Sequence, residues 1–336
     1  MRELFLNLCR LTGVSGFEDA VRDTIRAEAL PYADRIEEDP AGNLMVFKKG
    51  TTNRGTVMVS AHMDEAGFLV KSIHADGTLR FVPVGSLPDR VLPAARVAVG
   101  EKALPGVISM TPPHMGRNKI SKAGDLVIDI GAESREAAEK RTYPGDFVAY
   151  AGEPAAFGEG FLKAKALDGR LGCAILLTLL REEMPCDVWY VFTVQGVIGS
   201  GAMTAAHRLK PDAGLVIACT EAADQPFVPQ AQRTCTCGGG AVIPDADSST
   251  LYHPALVCAA RMAAERAGVR CQEPQMLPGA TDARLFAQSG SGIPTAAIFA
   301  PARYLHTPVS CVKWSDAEAV ERAARAFLQN FAAENR

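Results

Sequence analysis

Hydrophobic and polar positions follow two different rhythms along the chain. Up to about residue 66, and again from about residue 160, amphipathic helical stripes alternate with short apolar runs. The helices are predicted at Arg2–Leu11 and along the stripe that contains Val21, Ile25 and Ala29. The apolar runs NLMVFKKG, GTVMVSAHMDE, DVWYVFTV, GLVIACT and TAAIFA are typical of strands covered on both faces. This alternation predicts an α/β sheet.

The middle of the chain has a different pattern. Between residues 67 and 159, short β-like runs are separated by Pro, Gly and Asp, and SREAAEKR is the main helical segment. The pattern predicts a small β-barrel or β-sandwich. We therefore expect residues 1–66 and 160–336 to form one discontinuous α/β domain, with residues 67–159 inserted as a β domain. Near the carboxyl end, a long helix is predicted with Ser315 as its N-cap and Glu318 completing a capping box.

Composition excludes several classes of protein. The 336 residues carry a net charge of only −3, which argues against nucleic acid as a partner. The sequence has no apolar run of about 18 residues, so no membrane span is predicted. The start of the chain is interrupted by acids, unlike a secretory signal. The nine cysteines do not form a zinc-knuckle spacing, and free thiols in a cytoplasmic protein are expected.

Polar residues collect where predicted strands or turns end. The residues with metal-binding or acid–base side chains are His62, Asp64, Asp168, Glu221, Asp224 and His306. Each has an ordinary interpretation on its own, and Asp168 fits a helix N-cap. Taken together, a His–Asp–His set from the carboxyl ends of strands indicates a divalent metal site.

Segments spread over nearly the whole chain resemble the tetrahedral aminopeptidases, a family of dinuclear metal-dependent glutamyl and leucyl aminopeptidases that includes "endoglucanase-like" members. The segments include LTGVSGFED, AHMDEAGF, KALDGRLGCAIL, FTVQGVIGSGA, GATDARLF and PARYLHTPVSCV. The resemblance implies a mixed-sheet, zinc-peptidase-like (phosphorylase/hydrolase-like) domain with an inserted β-barrel. It also implies self-association through the barrel, up to a dodecamer.

The resemblance assigns roles to four residues that are intact. His62 matches a ligand of one metal and His306 a ligand of the other. Asp168 matches the carboxylate that bridges the two metals. Asp64 matches the aspartate that orients His62.

Three other positions depart from the family pattern. The family motif T-V-Q-E-E-x-G supplies a general base and then a metal ligand, and this chain has Gly196 and Val197 there. A further metal-binding aspartate falls on Ala218, counted back from Asp224. Each metal is therefore expected to lack one protein ligand, and the general base is missing.

These departures leave alternatives for function. The favoured expectation is an aminopeptidase homologue with impaired or absent activity, binding zinc or cobalt weakly, at one site, or not at all. A second is an active aminopeptidase with a single metal on His62, Asp168 and His306, with help from Glu221 or through a water molecule. Glu221 is expected in the loop after the strand. A third is a metal-free module that binds peptides or metabolites, or a structural subunit that assembles with an active paralogue. Cys219 is expected to point away from the site, and Asp282 matches a loop near the site without an assigned role.

Overall fold

The computed structural model describes residues 1–112, 114–115, 121–199 and 201–332. Among these residues there are eight α-helices: Arg2–Arg10 (α1), Asp19–Ala29 (α2), Arg135–Glu139 (α3), Leu167–Leu179 (α4), Ala202–Leu209 (α5), Pro254–Arg266 (α6), Ala283–Ala287 (α7) and Trp314–Asn330 (α8). None of the helices in these ranges combines the length and the apolar character needed to cross a bilayer.

The strands form one large mixed sheet and one closed barrel. The sheet contains Arg35–Glu38 (β1), Leu44–Lys48 (β2), Thr56–His62 (β3), Ala155–Phe157 (β10), Phe161–Ala164 (β11), Asp187–Thr193 (β12), Ala213–Glu221 (β13), Ala241–Val242 (β14), Cys271–Gln272 (β15), Thr295–Arg303 (β16) and Ser310–Lys313 (β17). The barrel contains Gly67–Ile73 (β4), Leu79–Val84 (β5), Arg96–Val99 (β6), Leu104–Ile108 (β7), Ile128–Asp129 (β8) and Phe147–Tyr150 (β9).

The large sheet has a parallel centre. Its main order is β1-β2-β12-β3-β13-β16-β17-β11-β10. β12, β3, β13 and β16 pair in parallel, whereas the strands on both sides of them pair antiparallel. The central strands are almost entirely buried because helices cover both faces of the sheet. Their carboxyl ends therefore meet at one edge, where polar residues follow the apolar runs.

The antiparallel barrel closes in the order β4-β5-β8-β7-β6-β9. It has its own apolar interior, in which Phe68 packs edge-on against Phe81 and Tyr150 at ring-centroid distances of 5.0 and 5.5 Å. Between the two alternatives for the middle of the chain, the structure selects the barrel over the sandwich. The chain enters β4 directly after the carboxyl end of β3, so one end of the barrel lies beside the edge of the large sheet.

Helix α4 packs closely on the middle of the sheet. A Cβ atom at Gly172 would lie 2.7 Å from both the Ala61 Cβ of β3 and the Ile217 carbonyl oxygen of β13. Only glycine allows this approach. The packing brings the first turn of α4, with Asp168, to the carboxyl ends of β3 and β13.

Most elements agree with the sequence-based predictions, and two local predictions are wrong. Helix α8 begins at Trp314 after the N-cap residue Lys313, so Ser315 lies inside the helix and is not its N-cap. Strand β13 continues to Glu221, so this residue lies on the strand and not in the following loop. The predicted helix SREAAEKR is confirmed as α3, with Ser134 accepting a hydrogen bond from the Ala137 amide. All nine cysteines are free thiols, as expected.

Candidate active-site cavity

A cavity of about 490 Å³ lies at the carboxyl ends of β3, β13 and β16. The α/β part of the chain supplies most of its walls, and the barrel contributes Ser86 and Tyr150. All four residues with intact family roles line this cavity, together with the three positions that lack acids. The topology therefore brings together every position that the resemblance selects.

The imidazole of His62 lies between two carboxylates. Its Nδ1 is 3.2 Å from Asp64 Oδ1, and its Nε2 is 3.6 Å from Asp168 Oδ2. Burial alone would lower the pKa of His62, but the hydrogen bonds and charges of Asp168 and Asp64 outweigh it and hold this pKa well above its ordinary value. Two negative charges around one ring thus favour the imidazolium form.

Asp64 is fully buried and is held by backbone and side-chain donors. The amides of Gly196 and Val197 donate to its two oxygens at 2.8 and 3.0 Å, and the hydroxyl of Ser15 donates to Oδ2. Burial would raise the pKa of Asp64, yet the contacts with His62 and these donors lower it. Asp64 therefore fixes both the ring of His62 and the backbone of the turn at Gly196.

Asp168 occupies the first turn of α4. Its Oδ1 accepts a hydrogen bond from the Cys219 amide at 2.6 Å. Burial opposes its ionisation, but His62, His306 and this amide lower the pKa of Asp168. The thiol of Cys219 lies 4.0 Å from the Asp168 carbonyl oxygen, on the α4 side of β13. Cys219 thus lies on the face of the strand opposite to Ala218, as strand alternation predicts, but it still lines the cavity beside Asp168.

His306 comes from the turn after β16. Its backbone has φ of 62°, in the left-handed region. Its Nδ1 lies 3.2 Å from the carbonyl oxygen of Ser86, in the barrel loop after β5. The barrel therefore orients the imidazole of His306, which the family resemblance assigns as a metal ligand.

The turn Gly196–Ile198, which lacks the two glutamates of the family motif, is tightly packed. A Cβ atom at Gly196 would lie 2.9 Å from His62 Cγ and closer still to His62 Cβ. A Cβ atom at Gly85 in the barrel would overlap Cγ1 of Val197. The Val197 side chain thus fills the junction between the turn and the barrel loop, and the backbone at Gly196 leaves no room for a side chain.

Glu221 does not turn toward the Ala218 position. Its carboxylate accepts hydrogen bonds from the amides of Tyr304 and Leu305 at 3.3 and 3.0 Å. Strand alternation also places its side chain on the face opposite to Ala218. In this arrangement Glu221 stabilises the turn that carries His306, and it does not replace the missing ligand.

Sequence reasoning missed a buried charge cluster directly beneath the site. The Glu65 carboxylate accepts hydrogen bonds from Lys165 Nζ at 2.7 Å and from the Gly13 amide at 3.1 Å. Arg170 Nη2 lies 3.7 Å from the same oxygen, and all three charged side chains are almost completely buried. Lys165 and Arg170 lie a hundred or more residues after Glu65 in the sequence, so only the fold reveals the cluster.

Asp282, at the start of α7, also lines the cavity. Its Oδ2 accepts a hydrogen bond from the Thr193 hydroxyl at 2.8 Å. Burial, with smaller contributions from Asp64 and Asp168, raises the pKa of Asp282 above its ordinary value. The sequence places Asp282 near the site, but it gives no sign of the contact with Thr193.

The residues present do not fit a two-metal centre. In the part of the chain that the structure describes, no group of three His, Cys, Asp or Glu side chains is arranged to hold a metal ion. Two ligand positions carry the hydrocarbon side chains of Val197 and Ala218, which have no donor atom. One oxygen of Asp168 is engaged by the Cys219 amide, and its other oxygen faces His62.

Comparisons with known proteins agree with the fold. Residues 42–322 match the model of the M42 glutamyl aminopeptidase family. Lysyl aminopeptidase of Pyrococcus furiosus is 30% identical over 347 residues, which span 97% of this chain and 96% of the relative. An aminopeptidase structure from the archaeon Desulfurococcus kamchatkensis superposes with a TM-score of 0.95 at 33% identity, covering 98% of this chain and 95% of that chain.

A third similarity concerns a protein that forms large particles. The TET1 peptidase of Pyrococcus horikoshii, described as able to assemble into a tetrahedron or a large octahedral shell, superposes with a TM-score of 0.88 at 31% identity. The match covers 98% of this chain and 99% of that chain. The α/β sheet, the closed barrel and the polar cavity where the two meet are therefore features of an aminopeptidase-like protein. The chain belongs to the M42 glutamyl aminopeptidase family.

Proposed function

We propose that this member of the M42 family has lost peptide hydrolysis and keeps its cleft as a metal-free binding site. The proposal rests on the residue types at three positions of the cavity wall, Gly196, Val197 and Ala218. None of these positions offers a carboxylate, although all three line the cavity next to His62 and Asp168.

The missing base alone would reduce activity strongly. General-base assistance contributes about 10²–10⁴ in rate. The close approach of Gly196 to His62 supports the proposal, because a glutamate there would require the turn to move. Glu221 is engaged by two amides, and Glu65 is paired with Lys165, so neither supplies a replacement in this arrangement.

The charge balance also favours a metal-free state. Two dications held close together need several carboxylates to neutralise their charge. Of the residues carried over from the family, Asp168 is the one carboxylate that would reach both metals. His62 lies 3.2 Å from Asp64 Oδ1 and 3.6 Å from Asp168 Oδ2, so its ring contacts both carboxylates that remain on this side of the cavity.

One observation favours a second candidate, an aminopeptidase with a single metal on His62, Asp168 and His306. The Nδ1 atoms of His62 and His306 both face acceptors, Asp64 Oδ1 and the Ser86 carbonyl oxygen. Ligating histidines are commonly oriented by an acceptor in this way. Zinc or cobalt would be the metal in this case.

The assembly is part of the proposal. We expect this chain to self-associate through the β-barrel, residues 67–159 forming the inserted unit, and to co-assemble with an active paralogue where one is present. The support is the likeness to the particle-forming TET1 peptidase. Mixed particles recovered by tandem affinity purification of two differently tagged chains would support co-assembly, and homogeneous particles would contradict it.

Metal content and turnover, measured on the same gel-filtered sample, test the proposal. The protein is incubated with zinc or cobalt, separated from free metal, analysed by elemental mass spectrometry and assayed on a panel of aminoacyl peptides. We expect neither retained metal nor turnover. Turnover that disappears in Asp168→Ala, but not in the exposed control Asp245→Ala, would overturn the proposal. About one metal per chain that is lost in His306→Ala would establish the single-metal alternative.

A further inference from the structure

Two contacts between the barrel and the α/β domain differ in burial. At the base of the barrel, Val14 is completely buried against Phe147, and the half-buried Val84 packs on the same cluster. A Cβ atom at Gly67 would lie 2.6 Å from Val14 Cγ2, so the two domains are tightly packed here. The second contact is made by the loop of residues 85–86, which follows β5 directly.

The loop of residues 85–86 is held from two sides. Gly85 lies so close to Val197 that a Cβ atom at Gly85 would overlap Val197 Cγ1. The carbonyl oxygen of Ser86 lies 3.2 Å from Nδ1 of His306. Gly85 and Val197 are half-buried, whereas Ser86 and His306 are exposed. Local opening of a fold begins where contacts are few and exposed, so this loop should separate before the base does.

The two contacts of the loop come from strands that are not neighbours. Val197 follows β12 and His306 follows β16, and β3 and β13 lie between these two strands. Three strand spacings of about 4.8 Å place the two turns about 14 Å apart. His62 of β3 and Ala218 of β13, which lie between them, line the cavity. The loop therefore crosses the carboxyl edge of the sheet at the cavity and joins two of its walls.

Both turns that hold the loop are themselves fixed to the α/β domain. The Val197 amide donates a hydrogen bond to Asp64 Oδ2 at 3.0 Å. On the other side, Glu221 accepts hydrogen bonds from the amides of Tyr304 and Leu305, just before His306. Because carboxylates hold both turns in place, breaking the contacts of the loop releases the barrel loop and not the turns.

We propose that residues 85–86 form a latch across the cavity, held by Val197 on one wall and by His306 on the other. Movement of the barrel about its buried base at Val14 opens this latch and widens the cavity. In this chain the hydrocarbon side chain of Val197, at the position of a family glutamate, makes one of the two holding contacts. The inference depends on the packing of these residues and not on whether the cavity hydrolyses peptides.

Alkylation by iodoacetamide measures access to the cavity. The full chain is labelled in the presence of a chelator, and the rate at each cysteine is followed by peptide mass spectrometry. Cys219 lines the cavity and is 8% exposed, whereas Cys173 is completely buried in α4 and reports global unfolding. Opening of the latch should raise the labelling rate of Cys219 and leave that of Cys173 unchanged.

Gly85→Ala opens the latch from the Val197 side. The added Cβ atom overlaps Val197 Cγ1, and overpacking of this kind should make labelling of Cys219 about tenfold faster. Gly145→Ala is the matched control, because its φ is also positive, 100° against 87°, and a Cβ atom there meets no described atom within 4 Å. The double variant Gly85→Ala/Val197→Ala removes the overlap, so its Cys219 should be labelled more slowly than in Gly85→Ala alone.

His306→Phe opens the latch from the other side. The variant keeps a ring but removes the nitrogen that faces the Ser86 carbonyl oxygen, so labelling of Cys219 should again be faster. Tyr304→Phe, which alters a 45% exposed ring in the same turn, is the control and should leave the labelling rate unchanged.

The outcomes separate the latch from the proposed function. Unchanged labelling of Cys219 in Gly85→Ala, or equal acceleration of Cys173, would overturn the latch. A double variant that is labelled as fast as Gly85→Ala would also overturn it, because the contact with Val197 would then not hold the loop. Retained metal and turnover in the gel-filtered sample would overturn the proposed function and leave the latch intact.

Discussion

Two walls of the cavity meet at His62, and they differ in whether their side chains carry carboxylates. The acid wall, formed by the end of β3 and the start of α4, carries Asp64, Glu65 and Asp168. The apolar wall, formed by the turn Gly196–Ile198 and the end of β13, carries Val197 and Ala218. In the acid wall each carboxylate has donors from the protein itself, including the Gly196, Gly13 and Cys219 amides.

The difference between the walls shows which buried carboxylates this fold tolerates when no metal is bound. Buried carboxylates are tolerated when hydrogen bonds and opposite charges satisfy them. In the apolar wall, Gly196 packs on His62 and Val197 packs on Gly85 of the barrel. An acid at Ala218 would add a further negative charge to a cavity that Asp168 and Asp282 already line. The acids that remain are those that also stabilise the backbone.

The largest expected effect concerns the acid wall. Glu65→Gln leaves the charges of Lys165 and Arg170 buried without their anion, and we expect it to lower the free energy of unfolding by about 3–5 kcal/mol. Urea denaturation measures the change. Glu183→Gln removes a carboxylate whose side chain is 71% exposed and pairs with Lys48, and its effect should stay within about 0.5 kcal/mol. A loss below about 1 kcal/mol at Glu65 would show that its charge does not hold this wall together.

The next effect tests how firmly the apolar wall is packed. Gly196→Glu forces a side chain against the His62 ring, and overpacking of this kind costs about 1–3 kcal/mol. Gly124→Glu is the matched control, since a Cβ atom there has nothing within 4 Å. Equal melting temperatures for the two variants would mean that the turn accepts an acid freely, and the contrast between the walls would fail.

Much of the fold was predictable because its signals are local. The apolar runs of the central strands and the turn-rich middle segment follow from hydrophobic periodicity. The same periodicity does not fix element ends, which is why the N-cap assigned to Ser315 and the loop position of Glu221 were wrong. Helix α8 begins two residues earlier than a helix with Ser315 as its N-cap would, at Trp314, whose amide donates to the Gly160 carbonyl oxygen.

The site was predictable only in part, for a different reason. His62, Asp64, Asp168 and His306 could be selected by resemblance, and the structure brings them to one cavity. The supports of these residues depend on contacts between distant segments. The hydrogen bond from Thr193 to Asp282 spans 89 residues, and the hydrogen bond from Lys165 to Glu65 spans 100. No local pattern encodes such pairs.

The smallest expected effect concerns the support of the apolar wall outside the cavity. Asp224, after β13, accepts two hydrogen bonds from Arg303 of β16 at 2.5 and 2.9 Å. Burial opposes the charge of Asp224, but Arg303 and the Cys237 amide outweigh it and lower the pKa of this carboxyl. A lowered folded-state pKa gives stability that is present above the unfolded-state pKa and lost as the pH falls through the folded-state pKa.

Asp224→Asn should therefore be less stable than the parent by about 1–2 kcal/mol at pH 7, with the difference shrinking below about pH 4 as the parent carboxyl takes up a proton. Urea denaturation at pH 7, 5, 4 and 3 measures this difference. Asp245→Asn, whose carboxylate is 74% exposed beside Arg261, should show a small difference that does not change with pH. A pH-independent loss at Asp224 would assign its role to shape and hydrogen bonding. The end of β13 would then be held by packing and hydrogen bonds and not by charge, and the charge-based contrast between the walls would be confined to the cavity.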